Sequence, residues 1–184
     1  MNTGTTLGLL AVGLGLVLVA GNSGAVVVDH VVDSNAVNYC QAFTPGPTNT
    51  IRNRVVGAEN VGTANINVAC AFTSFWNGDD NTSNPTSVQI YFSNTSNAAI
   101  TISCTLLTGW QGAPDSYLVT KSVVLPANAT SDDGNNLQWT ADDNPDPAAS
   151  DLGNQLVGIN CVMPPHGVLN DTYVDWNMDN GIGT

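Results

Sequence analysis

Two short segments alternate acidic and amide side chains in the pattern Asp-x-Asn-x-Asp. On a looping backbone this alternation lets successive oxygen atoms converge on one hard cation, and calcium favours such oxygen ligands. Neither segment has the bidentate glutamate of an EF-hand loop, and a chain with 14 Asp and 23 Asn also forms such patterns as ordinary solvated loops. The sequence therefore predicts at most one weak calcium site, with ligands drawn from Asp142, Asn144, Asp146, Asp175, Asn177 and Asp179.

Three tryptophans, Trp76, Trp110 and Trp139, border polar loops and are candidate platforms for sugar rings. Trp76 directly precedes Asn77 and Asp79, and Trp110 borders a second polar stretch. A flat apolar ring next to amide and carboxylate groups suits a ligand that presents both CH groups and hydroxyls. Tryptophans of a small β-sheet protein also pack in the core or at sheet edges, and this alternative stays open.

Residues for acid–base catalysis are scarce. The two histidines, His30 and His166, have no catalytic motif beside them, and Glu59 is the one glutamate of the chain. A hydrolase with paired carboxylates would need two aspartates, and nothing singles out two of the fourteen. We therefore predict a protein that is not an enzyme and that holds no cofactor apart from the calcium considered above.

The charge balance argues against two classes of partner. Lys and Arg number 3 against 15 Asp and Glu, which gives a formal net charge of -12. Binding to nucleic acid or to an anionic membrane surface depends on clustered basic residues. We expect neither partner.

The candidate calcium-binding and sugar-binding residues must be positioned by β-strands. Apolar residues make up 42% of the chain, enough for a core, whereas the helix-favouring residues Lys and Glu are rare. Nine strand-like runs are separated by clusters of Asn, Gly, Pro and Asp. We predict an all-β fold, an antiparallel β-sandwich of about 7–9 strands held by disulfides, in a single domain over residues 26–184. The runs are 26–32, 51–56, 64–72, 87–93, 99–107, 116–125, 136–140, 156–163 and 172–176.

The four cysteines predict two disulfides. Cys40, Cys70, Cys104 and Cys161 are widely spaced and form no C-x-x-C pair of the zinc-binding or thioredoxin type. The last three lie on the apolar side of alternating strands, so their sulfur atoms point inward. Three pairings remain open, and we favour Cys40 with Cys70 and Cys104 with Cys161; four reduced core cysteines in a cytosolic protein are the alternative.

Residues 1–25 precede this domain as a separate hydrophobic segment. The run from Leu7 to Ala20 carries no charge and is shorter than the roughly 20 residues that a helix needs to cross a bilayer. Small residues follow it, up to Ala25. This pattern predicts a cleaved signal peptide, with a retained hydrophobic anchor as the alternative, and places the mature protein outside the cell or at its surface.

From Cys40 to Trp176 the order of features resembles a group of small, uncharacterised secreted proteins of Gram-negative bacteria. The resemblance rests on IRNRVV before NINVACAF, VQIYF before ITISCTLL, and GINCVMPP before TYVDW. It implies a secreted, disulfide-linked β-sandwich and carries no activity with it.

Export, disulfides and the scarcity of acid–base residues favour a non-catalytic extracellular protein, either a self-assembling structural subunit or an adhesion module. Assembly would use the β-branched run at residues 25–33, which can complete a neighbour's sheet by strand addition and so form a homo-oligomer. An ordinary first strand of the same domain is the alternative for that run. The alternative function is a secreted glycan-binding module with a weak calcium site.

Overall fold

The computed structural model describes residues 27–43, 50–72, 84–109, 116–132, 134–153 and 156–179. In these residues the chain forms eleven strands in two antiparallel sheets, together with two 3-10 helices of three residues each. The predicted all-β, disulfide-linked antiparallel sandwich is therefore confirmed. The strands are β1 (Val27–Asn35), β2 (Cys40–Ala42), β3 (Ile51–Arg54), β4 (Gly57–Asn60), β5 (Ile66–Ala71), β6 (Pro85–Asn94), β7 (Ile100–Thr108), β8 (Tyr117–Leu125), β9 (Asn136–Thr140), β10 (Val157–Met163) and β11 (Gly167–Asp179).

The first sheet is organised around the long strand β11. Its order is β3-β4-β11-β6-β9, and β1 also pairs with β11. Strand β4 pairs with β11 at Val168 and Leu169, whereas β1 pairs with the later part of β11, from Asp171 to Asp179. Because β6 occupies the opposite edge of β11, strands β4 and β1 lie end to end along one edge. The second sheet has the order β2-β5-β10-β7-β8.

The predicted alternation of inward and outward residues is present in the second sheet. In β7 the side chains of Ile102, Cys104 and Leu106 are buried, while Thr101 between the inward positions is exposed. The same alternation runs along β10, where Cys161 is fully buried and Asn160 is exposed. The core therefore lies between the inner faces of the two sheets, and the largest side chains buried in it include Trp139, Trp176 and Phe92.

Both disulfides join neighbouring strands of the second sheet. Cys40 of β2 stands opposite Cys70 of β5 and is bonded to it. Cys104 of β7 stands opposite Cys161 of β10 and is bonded to it. The favoured pairing is the one that the structure has, and no cysteine is left free. The bonds fix the order β2-β5 and β10-β7 within one sheet and do not connect the two sheets to each other.

Two strands of the structure, β2 and β4, are not among the nine strands predicted from the sequence. Strand β2 has only three residues, too few for alternation to show. Strand β4 has the sequence GAEN and is buried along its whole length, including Glu59, so it has neither an apolar pattern nor an exposed face. Glu59 is held by an ion pair with Arg54 and by a hydrogen bond of 2.9 Å from Thr95 Oγ1. Strand β11 also begins at Gly167, before the predicted start at residue 172.

Buried asparagines connect the two sheets at one end of the sandwich. Asn60, at the end of β4, is fully buried, and its Nδ2 donates to the carbonyl oxygens of Ala64 at 2.9 Å and Met163 at 3.0 Å. Asn94, at the end of β6, likewise donates to Ala98 at 2.8 Å and Pro126 at 2.7 Å. Each side chain thus holds its own turn and reaches the chain of the opposite sheet, so part of the high asparagine content is structural.

Strands β8 and β9 close one side of the sandwich. The Nε1 of Trp139 in β9 donates to the carbonyl oxygen of Val119 in β8 at 3.1 Å. Lys121 of β8 reaches across to the Gln138 carbonyl and to the Asp143 carboxylate, both at 2.7 Å. Asp143 Oδ2 also accepts from the backbone N–H of Thr140. These contacts tie the edge strands of the two sheets together.

The N-terminal strand pairs within its own chain. Strand β1 forms an antiparallel ladder with β11 over nine residue pairs, from Val27 with Asp179 to Asn35 with Asp171. This is the ordinary first strand that the sequence left open as the alternative to strand donation. Residues 1–25 lie outside the described residues, so the signal peptide or anchor stays a prediction. Within the described ranges, no helix is long and apolar enough to span a membrane.

Candidate functional site

Two of the predicted tryptophan platforms cannot be placed. Trp76, Asn77, Asp79 and Trp110 all lie outside the described residues. The platform expected at Trp139 is wrong, because this ring is fully buried in the core and its Nε1 donates to the Val119 carbonyl. Trp176 is buried in the core as well. The platform hypothesis for Trp76 and Trp110 therefore stays a prediction.

The first calcium triplet forms a folded loop with hydrogen bonds of its own. Asp142 is exposed in the 3-10 helix Ala141–Asp143. Asn144 donates from Nδ2 to the Asp151 carbonyl at 3.1 Å, and its Oδ1 accepts from the N–H of Asp146 at 3.0 Å. Asp146 Oδ1 in turn accepts from the N–H of Ala148. These oxygens stabilise turns, as expected for the solvated-loop alternative.

The second calcium triplet lies in a strand. Asp175, Asn177 and Asp179 belong to β11, where alternate residues are about 7 Å apart along the backbone. Asp175 accepts a hydrogen bond from Ser87 Oγ, and the side chains of the other two are not described. Over the part of the chain that the structure describes, no three His, Cys, Asp or Glu side chains cluster as a metal site would require.

The outer face of the first sheet brings together two tyrosines and several polar side chains. Tyr173 of β11 stands opposite Gln89 of β6 on one side and Asp33 of β1 on the other. Tyr91 lies two residues beyond Gln89 and therefore on the same side of the sheet. We call Asp33, Gln89, Tyr91, Asp171 and Tyr173 the tyrosine face.

The two rings form one compact aromatic unit. Their centroids are 5.3 Å apart and their planes are inclined by 68°, an edge-to-face arrangement that aromatic pairs favour. The Tyr91 hydroxyl donates to Gln89 Oε1 at 3.2 Å. Both rings are half-buried, so each keeps part of its surface accessible to a ligand.

A β-bulge shapes the tyrosine face. Leu169 pairs with Phe92 and Thr172 with Ile90, so that Asn170 and Asp171 together face the single residue Tyr91. Inserting one extra residue turns two consecutive side chains toward the same face, which a regular strand does not allow. The bulge therefore places Asp171 beside the tyrosines.

Two carboxylates, Asp33 and Asp171, lie beside Tyr173, and neither forms an ion pair with a basic side chain that the structure describes. Burial, and then the neighbouring charge of Asp33, raise the pKa of the Asp171 carboxyl above its usual value. Burial, followed by the charges of Asp33 and Asp171, also raises the pKa of the Tyr173 hydroxyl, which is hydrogen-bonded to Asp33. The Tyr173 hydroxyl donates its one proton to the Asp33 carboxylate.

The neighbouring strand β9 extends this polar surface. Gln138 pairs with Gln89 and is exposed, and Asn136 pairs with Tyr91. Amide groups offer both donors and acceptors. The face thus combines two aromatic rings with carboxylates and amides across four adjacent strands.

The outer face of the second sheet has a different chemistry. A shallow cavity of about 390 Å³ lies there between strands β5, β10, β7 and β8, lined mainly by small and aliphatic residues such as Ala69, Leu107, Leu118 and Gly158. Its polar lining is limited to Thr105 and Asn160. Its described lining residues include no aromatic ring and offer fewer polar groups than the tyrosine face.

No motif in the sequence marks the tyrosine face. One signal was present: in the predicted strand 87–93, Gln89 and Tyr91 lie on the register opposite to Val88, Ile90 and Phe92. This register places the Tyr91 ring and the Gln89 amide side by side on the outer face of the sheet. Its partners in β1 and β11 depend on strand pairing, which no single segment shows.

Comparison with known proteins gives only distant likenesses. No protein-family model and no curated protein matches the chain. A solved structure described as CBM4 shares 14% identity over 86% of this chain and 90% of its own, with a TM-score of 0.34. TmCBM61 in complex with β-1,4-galactotriose shares 7% identity over 82% and 88%, with a TM-score of 0.32. The T=1 particle derived from infectious bursal virus shares 12% over 92% and 44%, with a TM-score of 0.18. At such TM-scores none of these likenesses bears on individual residues.

Proposed function

We propose that this protein is a non-catalytic extracellular module that binds a neutral glycan on its tyrosine face. The observation that carries the proposal is the Tyr91–Tyr173 pair, half-buried in an open sheet face and surrounded by Asp33, Asp171 and Gln89. Sugar rings present CH groups to aromatic surfaces and hydroxyls to carboxylate and amide oxygens. The face offers both kinds of partner within one small area.

The charge of the site selects among glycans. Asp33 and Asp171 lie close enough for the charge of one to raise the pKa of the other, and neither forms an ion pair with a described Lys, Arg or His side chain. An acidic sugar would add a third negative charge to this pair, in a chain whose net charge is already -12. We therefore expect neutral sugars, or amino sugars that carry a positive charge, to bind better than uronic or sialic acids.

The two disulfides support an extracellular location. Disulfides of this structural type persist in oxidising compartments and are rare in the cytosol. An extracellular module meets polysaccharides at cell surfaces and in the surrounding matrix, where a binding protein without catalytic residues acts by attachment.

A glycan array followed by calorimetry tests the proposal. The full chain should bind neutral oligosaccharides more tightly than matched acidic ones. Tyr173→Ala and Tyr91→Ala should each weaken binding by about tenfold or more, the equivalent of about 1.4 kcal/mol. Phe43→Ala is the matched control, because Phe43 is an aromatic residue that is 68% exposed and lies outside the first sheet.

Two results would overturn this function. One is the absence of binding to any glycan on the array by protein that is folded and fully oxidised. The other is binding that Tyr91→Ala and Tyr173→Ala leave as strong as Phe43→Ala does. The second result would show that the glycan binds to another surface of the protein.

A self-assembling structural subunit is the second candidate. Strand β1 lies at an edge of the first sheet, and β11 is its one strand partner among the described residues. An edge strand can leave its own sheet and add to that of a neighbour. Deletion of residues 1–33 would then leave disulfide-bonded monomers that no longer polymerise. If β1 serves its own domain alone, the same deletion unfolds the domain and the full chain remains monomeric in size-exclusion chromatography at high concentration.

A further inference from the structure

A polar pocket adjoins the tyrosine face at the β-bulge. It has a volume of about 500 Å³, within the range of small-molecule sites. Its lining comes from the bulge at Asn170, from Ser93 and its neighbours at the end of β6, from Val56, and from the loop that contains Thr130 and Ser131. Hydroxyl and amide groups dominate this lining, and none of the lining residues that the structure describes is charged.

Asn170 gives this pocket an unsatisfied hydrogen-bond acceptor. The residue is only 5% exposed, and its Nδ2 donates to the carbonyl oxygen of Val56 at 2.6 Å. That bond sets the orientation of the amide, because a carbonyl oxygen accepts from Nδ2 but not from Oδ1. Oδ1 is buried and has no hydrogen-bond partner among the described residues. Buried polar atoms without a partner are rare. Because Asn170 also lines the pocket, a ligand group that reaches Oδ1 from there would satisfy this atom by donating a hydrogen bond.

The walls of the pocket are held in place before any ligand binds. The N–H of Asn128 donates to the Ser96 carbonyl, and the N–H of Asn94 donates to the Ala129 carbonyl, both at 2.9 Å. Asn128 itself has a positive φ of 56°, which asparagine tolerates better than most residues. Binding therefore does not require the loop to be ordered first.

The pocket and the tyrosine face are continuous. Ser93 follows Tyr91 by two residues on the same side of β6, about 7 Å along the strand. On β11 each residue of the bulge belongs to one of the two sites. Asn170 lines the pocket, and Asp171 lies beside Tyr173 in the tyrosine face. One irregularity in one strand thus builds both halves of an extended surface.

We propose that this pocket is a second subsite, which takes one neutral sugar ring of the bound glycan and receives a hydrogen bond from a sugar hydroxyl at Asn170 Oδ1. The described lining residues carry no charge, so they suit an uncharged ligand. Val56 supplies an apolar wall for the CH groups of the sugar ring. The inference rests on the proposed glycan binding and adds to it the position and chemistry of the neighbouring subsite.

A titration followed by NMR separates this subsite from the tyrosine face. The full chain, labelled with nitrogen-15, is titrated in turn with glucose, galactose and N-acetylglucosamine. We expect at least one sugar to shift the side-chain amide of Asn170 and the backbone amide of Thr130. Shifts of the Tyr91 and Tyr173 ring resonances report the other subsite independently.

Variants measure the contribution of the pocket to the binding of an oligosaccharide found on the array. Ser131→Trp fills the pocket from an exposed loop position and should weaken binding about tenfold. Ser150→Trp is its matched control, because Ser150 is also an exposed loop residue and its neighbour Leu152 contacts the opposite end of β6. Asn170→Ala removes the acceptor and should weaken binding to a similar degree, with circular dichroism used to check that it folds.

The possible results are distinct for the two proposals. Shifts confined to the tyrosine rings, together with Ser131→Trp binding as tightly as Ser150→Trp, overturn the pocket and leave glycan binding intact. Shifts confined to Asn170 and Thr130 support the pocket and overturn the tyrosine face as the main site. No shift with any of the sugars, and no glycan bound on the array, overturn both.

Discussion

Removing the disulfides should cost a large share of the stability of this domain. Each bond restricts the unfolded chain, and the loop-entropy relation gives about 3.6 kcal/mol for the separation of 30 residues between Cys40 and Cys70. The separation of 57 residues between Cys104 and Cys161 gives about 4.2 kcal/mol. Together they amount to about 8 kcal/mol, which is comparable to the 5–15 kcal/mol that typically separates folded from unfolded domains. We expect the fully reduced protein to unfold in mild denaturant or at room temperature.

Equilibrium unfolding in urea measures each contribution. The pair Cys104→Ala with Cys161→Ala should lower the free energy of unfolding more than the pair Cys40→Ala with Cys70→Ala. The longer loop gives the first pair the larger entropic cost, and both of its sites are fully buried, so truncation also leaves a cavity. Alanine is the proper replacement because a buried serine hydroxyl would add its own desolvation cost.

The contrary result is equally specific. If the Cys104 and Cys161 variant unfolds within about 1 kcal/mol of the wild type, the cross-link does not restrict the unfolded chain as the relation requires. Thiol labelling of unfolded but unreduced wild-type protein provides the control. It should detect no free cysteine, since both pairs are bonded in the structure.

Three further substitutions test other parts of the fold. Lys121→Met should lower the free energy of unfolding by about 1 kcal/mol and the Tm by roughly 2–4 °C, a modest effect because the Lys121 side chain is 34% exposed; an unchanged Tm at low salt would contradict the proposed tie to Asp143. Asn60→Ala should cost about 2–4 kcal/mol in urea unfolding, since it leaves buried carbonyl and N–H groups without partners. Asp171→Asn should stabilise the protein at pH 7, because folding raises the pKa of the Asp171 carboxyl above its ordinary value of 3.8. The protonated carboxyl favours the folded state fully below pH 3.8, and this contribution to stability is lost as the pH rises through the folded pKa. That gain should fade as the urea midpoint is measured at pH values falling to about 3, and a gain independent of pH would show that the charge of Asp33 and the burial of Asp171 are not its cause.

Alternation of apolar and polar residues predicts much of the fold. Strands β5, β7 and β10 each bury one face and expose the other, so the period of two is visible in the sequence and the inward cysteines follow from it. Alternation fails for β4, which is buried along its whole length and contains Glu59. Its formation depends on the pairing with β3 and β11 and on Arg54, and these are tertiary contacts that a four-residue segment does not reveal.

The candidate site depends on pairing between distant strands. Gln89 and Tyr91 are visible as outward residues of a predicted strand, but Tyr173 and Asp33 join them only through the register of β11 with β6 and β1. The bulge at Asn170 is likewise invisible, because no Gly or Pro marks it in the sequence LNDTY. Residues 175–179, which carry the Asp-x-Asn-x-Asp pattern, extend β11 beyond the predicted run 172–176, and this extension depends on the pairing with β1.

The distribution of the few charges distinguishes scaffold from site. Of the 3 basic side chains, Arg54 neutralises the buried Glu59 and Lys121 joins β8 to Asp143, so two of them stabilise the sandwich. Asp33 and Asp171 form no ion pair with a described basic residue. Folding raises the pKa of the Asp171 carboxyl, so its ionised form is less favourable in the folded protein than in the unfolded chain. A pair of close carboxylates that opposes folding is not explained by stability, because asparagine at either position would relieve the repulsion.

The same surface holds two half-buried tyrosines, and Asn170 of the bulge, which has an unsatisfied acceptor, lines the adjoining pocket. Three separate departures from the most stable arrangement therefore meet on one face. Such departures concentrate where a protein binds its ligand, and this is why the outer face of the first sheet is the place to search for it.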